Sequence, residues 1–121
     1  MKNLVILGAG TAGTMMSNHL VKKLNLSDWM ITLMDQYPQH YYQPGFLFLP
    51  FEIYSEDQVV KPKKSFFPES ISYIQEKIDV IRPDEQSVHL ENGTKLNYDL
   101  LIVATGCRIA PEETEGMLGA D

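Results

Sequence analysis

The sequence predicts an α/β fold with a central parallel sheet, and three observations carry the prediction. Two uninterrupted aliphatic runs, Leu4–Leu7 and Leu100–Val103, stand near opposite ends of the 121-residue chain. Strands apolar along their whole length are covered on both faces, the usual condition of parallel strands. A glycine-rich turn and a helical pattern separate the first run from "WMITLMDQ", so the chain opens as strand, tight turn, helix, strand. Ahead of the second run, "SVHLENGTKLNYD" centres on Asn92-Gly93, the signature of a hairpin inserted before the last strand.

Each element follows in order. Leu4–Leu7 is the first strand. "TMMSNHLVKKLNL" spaces Met15, Met16, His19, Leu20 and Leu24 at helical intervals, and Lys22 and Lys23 fall near the helix end, where the dipole favours cations. "WMITLMDQ" is the second strand, with Asp35 at its carboxyl end. The stretch from Tyr37 to Ser70 is broken by Pro38, Pro44, Pro50, Pro62 and Pro68, each unfavourable for helix at the residue before it. It is expected to be a loop through Gly45, a short apolar turn or helix over Phe46–Phe51, and an irregular crossover beyond. "SYIQEKIDVIRP" is strand-like with a turn at "RPDE". The hairpin pairs Ser87–Leu90 with Thr94–Tyr98 through a left-handed turn at Asn92-Gly93. Asp99 then leads into "LLIVATG", whose strand is expected beside the first at the centre of the sheet. The last residues, "CRIAPEETEGMLGAD", have the character of a linker toward further chain, so the sequence is expected to be a piece of a longer protein.

Length allows one domain. An apolar share of 44% suffices for a core, and the formal net charge is −6 from 16 acidic and 10 basic residues. No five like charges run together, which argues against a nucleic-acid arm or an acidic tail. The single cysteine, Cys107, makes no internal disulfide, in keeping with a reducing compartment. "LVIL" is too short for the apolar core of a secretion signal, and no run approaches the length of a membrane span. A cytoplasmic or membrane-peripheral location is expected. No C-x-x-C, H-E-x-x-H or calcium-loop spacing supports a metal site.

Gly8, Gly10 and Gly13 form G-x-G-x-x-G after a predicted strand and at the start of a predicted helix, the context this pattern requires. Gly8 permits the tight turn, Gly10 lets backbone approach a pyrophosphate, and Gly13 lets helix lie close to strand. The pyrophosphate would rest on the helix amino end, where unpaired N–H groups point outward. Asp35 follows Gly13 by 22 residues, near the spacing of about 20 at which a strand-end carboxylate accepts from a ribose 2′-OH. Its charge would repel a 2′-phosphate. The fingerprint leaves FAD and NAD equally open, and a second glycine turn at Thr105-Gly106 is expected at the same crevice mouth.

Taken together, "ILGAGTAG", Asp35 and "NYDLLIVATG" resemble the FAD-dependent pyridine nucleotide–disulfide oxidoreductases. In that superfamily the first fingerprint holds FAD and a later "ATG" strand closes over it. "HYYQPGFLFLPF" and "GCRIAPEETEG" are similar to the branch of sulfide:quinone oxidoreductases and flavocytochrome sulfide dehydrogenases. The resemblance implies a Rossmann-like FAD-binding fold over residues 1–106, incomplete here, with 107–121 leading toward a second dinucleotide-binding domain. It implies Gly8, Gly10, Thr11, Ala12 and Gly13 at the FAD pyrophosphate, Asp35 at the adenosine ribose, and the Val80 backbone at the adenine. Ala104, Thr105 and Gly106 would lie on the pyrophosphate and ribityl side, and Gln43, Pro44 and Gly45 near the isoalloxazine. A type II turn without a ligand is the plain alternative for Pro44-Gly45. The activity implied is oxidation of sulfide, with electrons passed to a quinone or cytochrome; the remainder of the chain and a peripheral membrane contact complete the partners. An NAD(P)H-dependent quinone or ferredoxin-type reductase, and a non-catalytic NAD-binding domain, are the alternatives.

Cys107 matches no cysteine of that branch and is expected to be a small buried or semi-buried residue; no catalytic residue is assigned. His19 is expected to pack on the helix or lie at the surface, His40 to be solvated in the flavin-side loop, and His89 to point outward. Phe46, Leu47, Phe48, Leu49 and Phe51 are expected in the core beneath the crossover rather than facing a quinone or membrane.

Overall fold

The computed structural model describes residues 1–119. Its elements run β1 (Lys2–Leu7), α1 (Thr11–Val21), β2 (Trp29–Asp35), β3 (Gln39–Tyr41), α2 (Glu56–Val59), β4 (Val60–Pro62), β5 (Ser72–Gln75), β6 (Ile78–Arg82), β7 (Ser87–Leu90), β8 (Lys95–Asn97) and β9 (Leu100–Val103). Short 3₁₀ turns cover Gln43–Phe48, Lys63–Phe66, Pro83–Glu85 and Pro111–Glu113. The α/β fold is as the sequence predicts. A four-stranded parallel sheet runs β5-β2-β1-β9, and the hairpin belongs to a separate antiparallel sheet, β6-β7-β8.

The aliphatic runs form strands because successive residues feed two cores. Leu4, Ile6, Ile31, Leu33 and Ile71 are buried toward α1, with Leu20, Val21 and Leu24 packed on them. Val5, Leu7 and Met34 face the other way and meet Val88 and Leu90 of the small sheet. The parallel sheet is thus covered by a helix on one face and by the hairpin sheet on the other. Strand alternation delivers both faces from one unbroken apolar run.

The structure corrects several expectations. The inward face of α1 is Gly13 and Ser17, continued by Leu20 and Val21, while Met15, Met16 and His19 are exposed. Small residues sit innermost because the helix lies close on the sheet, and Ser17 satisfies its hydroxyl on Thr14 O at 2.9 Å. "SYIQEKIDVIRP" is two strands, β5 and β6, in different sheets; Glu91 N–H closes the bend between them on Lys77 O at 3.0 Å. β9 does lie beside β1, register Leu4↔Leu100, but it is an edge of the described sheet, with Leu100 and Val103 exposed. Asp99 fixes that register through both N–H to Asn3 O (2.8 Å) and Oδ2 from Asn3 N–H (2.6 Å).

The crossover is more ordered than its prolines suggest. β3 and β4 pair antiparallel, pairing Gln39 with Pro62, and a capping box at Ser55–Gln58 starts α2. The apolar stretch in it is not core: Leu47 is 74% and Phe51 73% exposed, Phe46 and Phe48 are exposed too, and only Leu49 is half-buried. The 3₁₀ turn keeps these side chains on its outside because Gly45 and Val59 already fill the space beneath. The predicted hairpin turn is present, with Gly93 at φ +86° and Asn92 Oδ1 accepting from Thr94 N–H at 2.9 Å. Of the expected linker, residues 107–119 are largely exposed around the Pro111–Glu113 turn; Ala120 and Asp121 lie outside the described residues. No helix among the described residues is long and apolar enough to cross a membrane.

Candidate functional site

The carboxyl ends of β1, β2, β5 and β9 point the same way, and the two glycine turns meet there. Gly8 follows β1 at φ +96°, a conformation side chains rarely adopt. Its N–H donates to Met34 O at 2.8 Å, and the preceding Leu7 O accepts from Ala104 N–H at 2.7 Å. The first turn is therefore strung between the ends of β2 and β9. A Cβ on Gly8 would fall against the Ala104 carbonyl, with the Thr105 Cα only 2.8 Å away. The expectation that "ATG" shares the crevice mouth with the first fingerprint is met in backbone contact.

Gly13 has an equally firm reason to be glycine: a Cβ there would strike the carbonyl of Gly8. Gly10 is different. Its φ of −77° suits any residue, and a Cβ would meet nothing within 4 Å. The space beside it is open. α1 starts there with no side-chain cap and no acidic residue in its first turn, and Thr11 and Ala12 are exposed. Uncapped amino-terminal N–H groups beside an open glycine are a cradle that an added methyl would begin to fill, and they suit a pyrophosphate. The residues present fit the adenine-dinucleotide part of a cofactor.

Asp35 ends β2 at the rim of this cradle, and its carboxylate is already engaged. Oδ2 accepts from Ala9 N–H at 2.8 Å and lies 2.6 Å from Lys63 Nζ, while Oδ1 accepts from Tyr37 N–H at 2.9 Å. Lys63 is a partner that the sequence pattern does not reveal. Nothing in "VKPKKSF" tells which of three lysines turns inward. The distinction is made by Lys63 N–H bonding to Pro38 O at 2.8 Å, which brings its side chain to the end of β2. On the neighbouring strand β5, the Tyr73 hydroxyl is buried without a hydrogen-bond partner. Burial, and secondarily the negative charge of Asp35, push the Tyr73 phenol above its ordinary value.

The remaining predicted site residues are less gathered. Val80 is half-buried in β6, paired with His89 just past a register shift between Ile78 and Val80. Gln43 and Pro44 are exposed at the start of a 3₁₀ turn. Gly45 is buried, and a Cβ there would meet Val59 Cγ1 at 2.6 Å and Tyr42 Cδ1 at 2.9 Å. It lacks the positive φ that a type II turn requires; it is glycine for close packing. Thr105 and Gly106 are exposed, the latter at φ +68°. Cys107 is exposed, against the expectation of burial, because the chain leaves the sheet edge directly after β9. His40 is half-buried, edge-on to Phe66 at 5.2 Å, rather than solvated. His19 is exposed, and His89 is half-buried beside Ser87 Oγ at 3.2 Å.

Comparison with known proteins agrees with this geometry. Residues 2–120 match the sequence profile of the family described as pyridine nucleotide-disulphide oxidoreductase. The mitochondrial sulfide:quinone oxidoreductase of Dictyostelium discoideum is 29% identical over 115 residues, covering 94% of this chain and 25% of that protein. A 3-phenylpropionate/cinnamic acid dioxygenase ferredoxin–NAD(+) reductase component from Photorhabdus laumondii is 31% identical over 118 residues, 88% of this chain and 27% of the relative. Among solved structures, the sulfide:quinone oxidoreductase of Aquifex aeolicus superposes with a TM-score of 0.77 at 28% identity, over 91% of this chain and 25% of that one. The chain thus spans about a quarter of the length of the relatives it matches. It belongs to the pyridine nucleotide-disulphide oxidoreductase family.

Proposed function

We propose that this member of the family binds FAD through residues 1–106 and serves an oxidoreductase that oxidises sulfide, passing electrons to a quinone or cytochrome. Residues 107–121 would lead toward a second dinucleotide-binding domain. The observation that carries the reading is the meeting of two glycine turns, Gly8 against Ala104–Thr105, beside the open, uncapped start of α1. A minimal nucleotide unit has no need of the second turn.

In this reading Gly8, Gly10, Thr11, Ala12 and Gly13 receive the pyrophosphate on backbone N–H groups. Asp35 offers Oδ1 to the adenosine ribose, since Oδ2 is held by Ala9 and Lys63. The Val80 backbone serves the adenine. Ala104, Thr105 and Gly106 flank the ribityl side. Gln43 and Pro44 are the exposed residues of the loop assigned to the isoalloxazine, and Gly45 supports them from beneath. When bound, FAD would supply two-electron chemistry; the chain's share is to hold, orient and shield it. Exposed Phe46, Leu47, Phe48 and Phe51 offer an apolar surface for an acceptor or a membrane.

The sulfide assignment rests on the similarity to sulfide:quinone oxidoreductases and on the "YYQPGF" loop. The similarity to a ferredoxin–NAD(+) reductase component favours a second reading, an NAD(P)H-dependent flavin reductase. The test is the visible spectrum of the purified protein, followed by anaerobic titration with sulfide and with NADH. A flavin band bleached by sulfide supports the first reading, and bleaching by NADH alone moves the second ahead. A protein that neither carries flavin nor takes it up overturns both.

A further inference from the structure

The segment that leaves β2 is anchored at its backbone and free at one ring. Tyr37 N–H donates to Asp35 Oδ1 at 2.9 Å, and the next residue, Pro38, accepts from Lys63 N–H at 2.8 Å. Pro38 also favours extended backbone for the residue before it. Between these anchors the Tyr37 side chain is 62% exposed, and it belongs to none of the ring pairs among the described residues.

Asp35 ties this ring to the cradle. Its Oδ2 accepts from Ala9 N–H, beside the open Gly10, while its Oδ1 takes the Tyr37 N–H. Its carbonyl accepts from Glu76 N–H at 3.1 Å, so the bend between β5 and β6 runs alongside. In that bend Lys77 pairs with Glu91 at 2.5 Å. The Lys77 ammonium is raised above the ordinary lysine range, first by Glu91 and to a lesser extent by Tyr37 and Asp79. The Tyr37 phenol therefore stands near the bend that leads into Val80. Both lysines at this rim are engaged, Lys63 by Asp35 and Lys77 by Glu91. What Tyr37 adds to the rim is an open aromatic face.

Resting on the dinucleotide reading above, we propose that Tyr37 is the platform on which the adenine of the cofactor stacks. In that reading Asp35 holds the ribose and the Val80 backbone meets the edge of the base, and neither offers a surface to its face. The Tyr37 ring does. Tyrosine suits the task because a rigid ring loses few rotatable bonds on binding, and here its backbone is held beforehand. The contact depends on the adenine alone, so it favours FAD over a flavin mononucleotide, which has no base to stack.

Calorimetric titration of the flavin-free full chain with ADP-ribose, which carries the adenine but no flavin, tests this. Tyr37→Phe and Tyr37→Trp should bind within about threefold of wild type, whereas Tyr37→Leu, apolar but without a π face, should bind about tenfold more weakly. The urea unfolding midpoint should be the same in all four proteins, since the side chain is largely exposed. A Tyr37→Leu variant that binds as wild type does overturns the proposal while leaving the nucleotide site standing. So does a Tyr37→Phe variant that loses as much as Tyr37→Leu, which would make the hydroxyl and not the ring the contact. A binding loss matched by a fall in the unfolding midpoint would assign Tyr37 to the fold instead. Absence of ADP-ribose binding by wild type overturns the dinucleotide reading and this proposal together.

Discussion

Three glycines of one motif do three different jobs, and substitution separates them. Gly8→Ala places a side chain at φ +96° and against the Ala104 carbonyl, so a loss of about 3 kcal/mol in urea unfolding is expected. Gly10→Ala has ordinary backbone angles and empty space around the new methyl. It should change stability by less than about 0.5 kcal/mol and, on the dinucleotide reading proposed above, weaken ADP-ribose binding in a calorimetric titration, because the methyl would enter the cradle. Equal effects of the two on folding would contradict this division. Tyr73 makes a different prediction. Its hydroxyl is buried without a partner, so Tyr73→Phe should be neutral or stabilising by about 1 kcal/mol. The phenol is raised in the fold, first by burial and then by Asp35. The neutral form is thus favoured when folded, and its contribution is complete below the unfolded value near about 10. That contribution declines as pH rises through the folded value, so wild type should lose alkaline stability that Tyr73→Phe retains, as thermal melts across that range would show.

At the scale of elements, the crossover between β2 and β5 is held by few but specific contacts. Lys63 N–H bonds Pro38 O, Asn18 Nδ2 donates to Phe66 O at 2.7 Å, and Tyr42 N–H donates to Val59 O at 2.8 Å. Gly45 lets the 3₁₀ turn settle on Val59. Gly45→Ala should therefore cost about 1–3 kcal/mol through overpacking, and limited proteolysis should show cutting within residues 41–54 before the parallel sheet. Cutting that begins elsewhere would mean the segment tolerates the methyl. The prolines hid this order from the sequence, since three-residue strands give too short a period to recognise. The βαβ opening and the hairpin, by contrast, were legible, because Gly8 and Gly93 adopt left-handed angles that few other residues allow.

Among the described residues, the parallel sheet is covered on both faces and has β5 and β9 as its edges, and Phe46, Leu47, Phe48 and Phe51 are exposed. Such surfaces serve contacts with another body. The double variant Leu47→Lys/Phe51→Lys should leave unfolding free energy within about 0.5 kcal/mol of wild type, while lowering concentration-dependent association in sedimentation. A large loss of stability would mean that these side chains are core after all.

The sequence by itself determined the α/β class, the strand–turn–helix–strand opening, the hairpin and the positions of both glycine turns. These depend on local physics: left-handed backbone angles, strand-length apolar runs and the turn chemistry of Asn92-Gly93. Only the tertiary structure decided that Ser17 rather than Met16 faces the sheet, that Cys107 and the Phe46–Phe51 stretch lie outside, and that Lys63 sits on Asp35. Each of those is set by which distant segments come within a few ångströms of one another. A charge read along the chain is an isolated charge; in the fold that of Asp35 lies 2.6 Å from the ammonium of Lys63, 28 residues on.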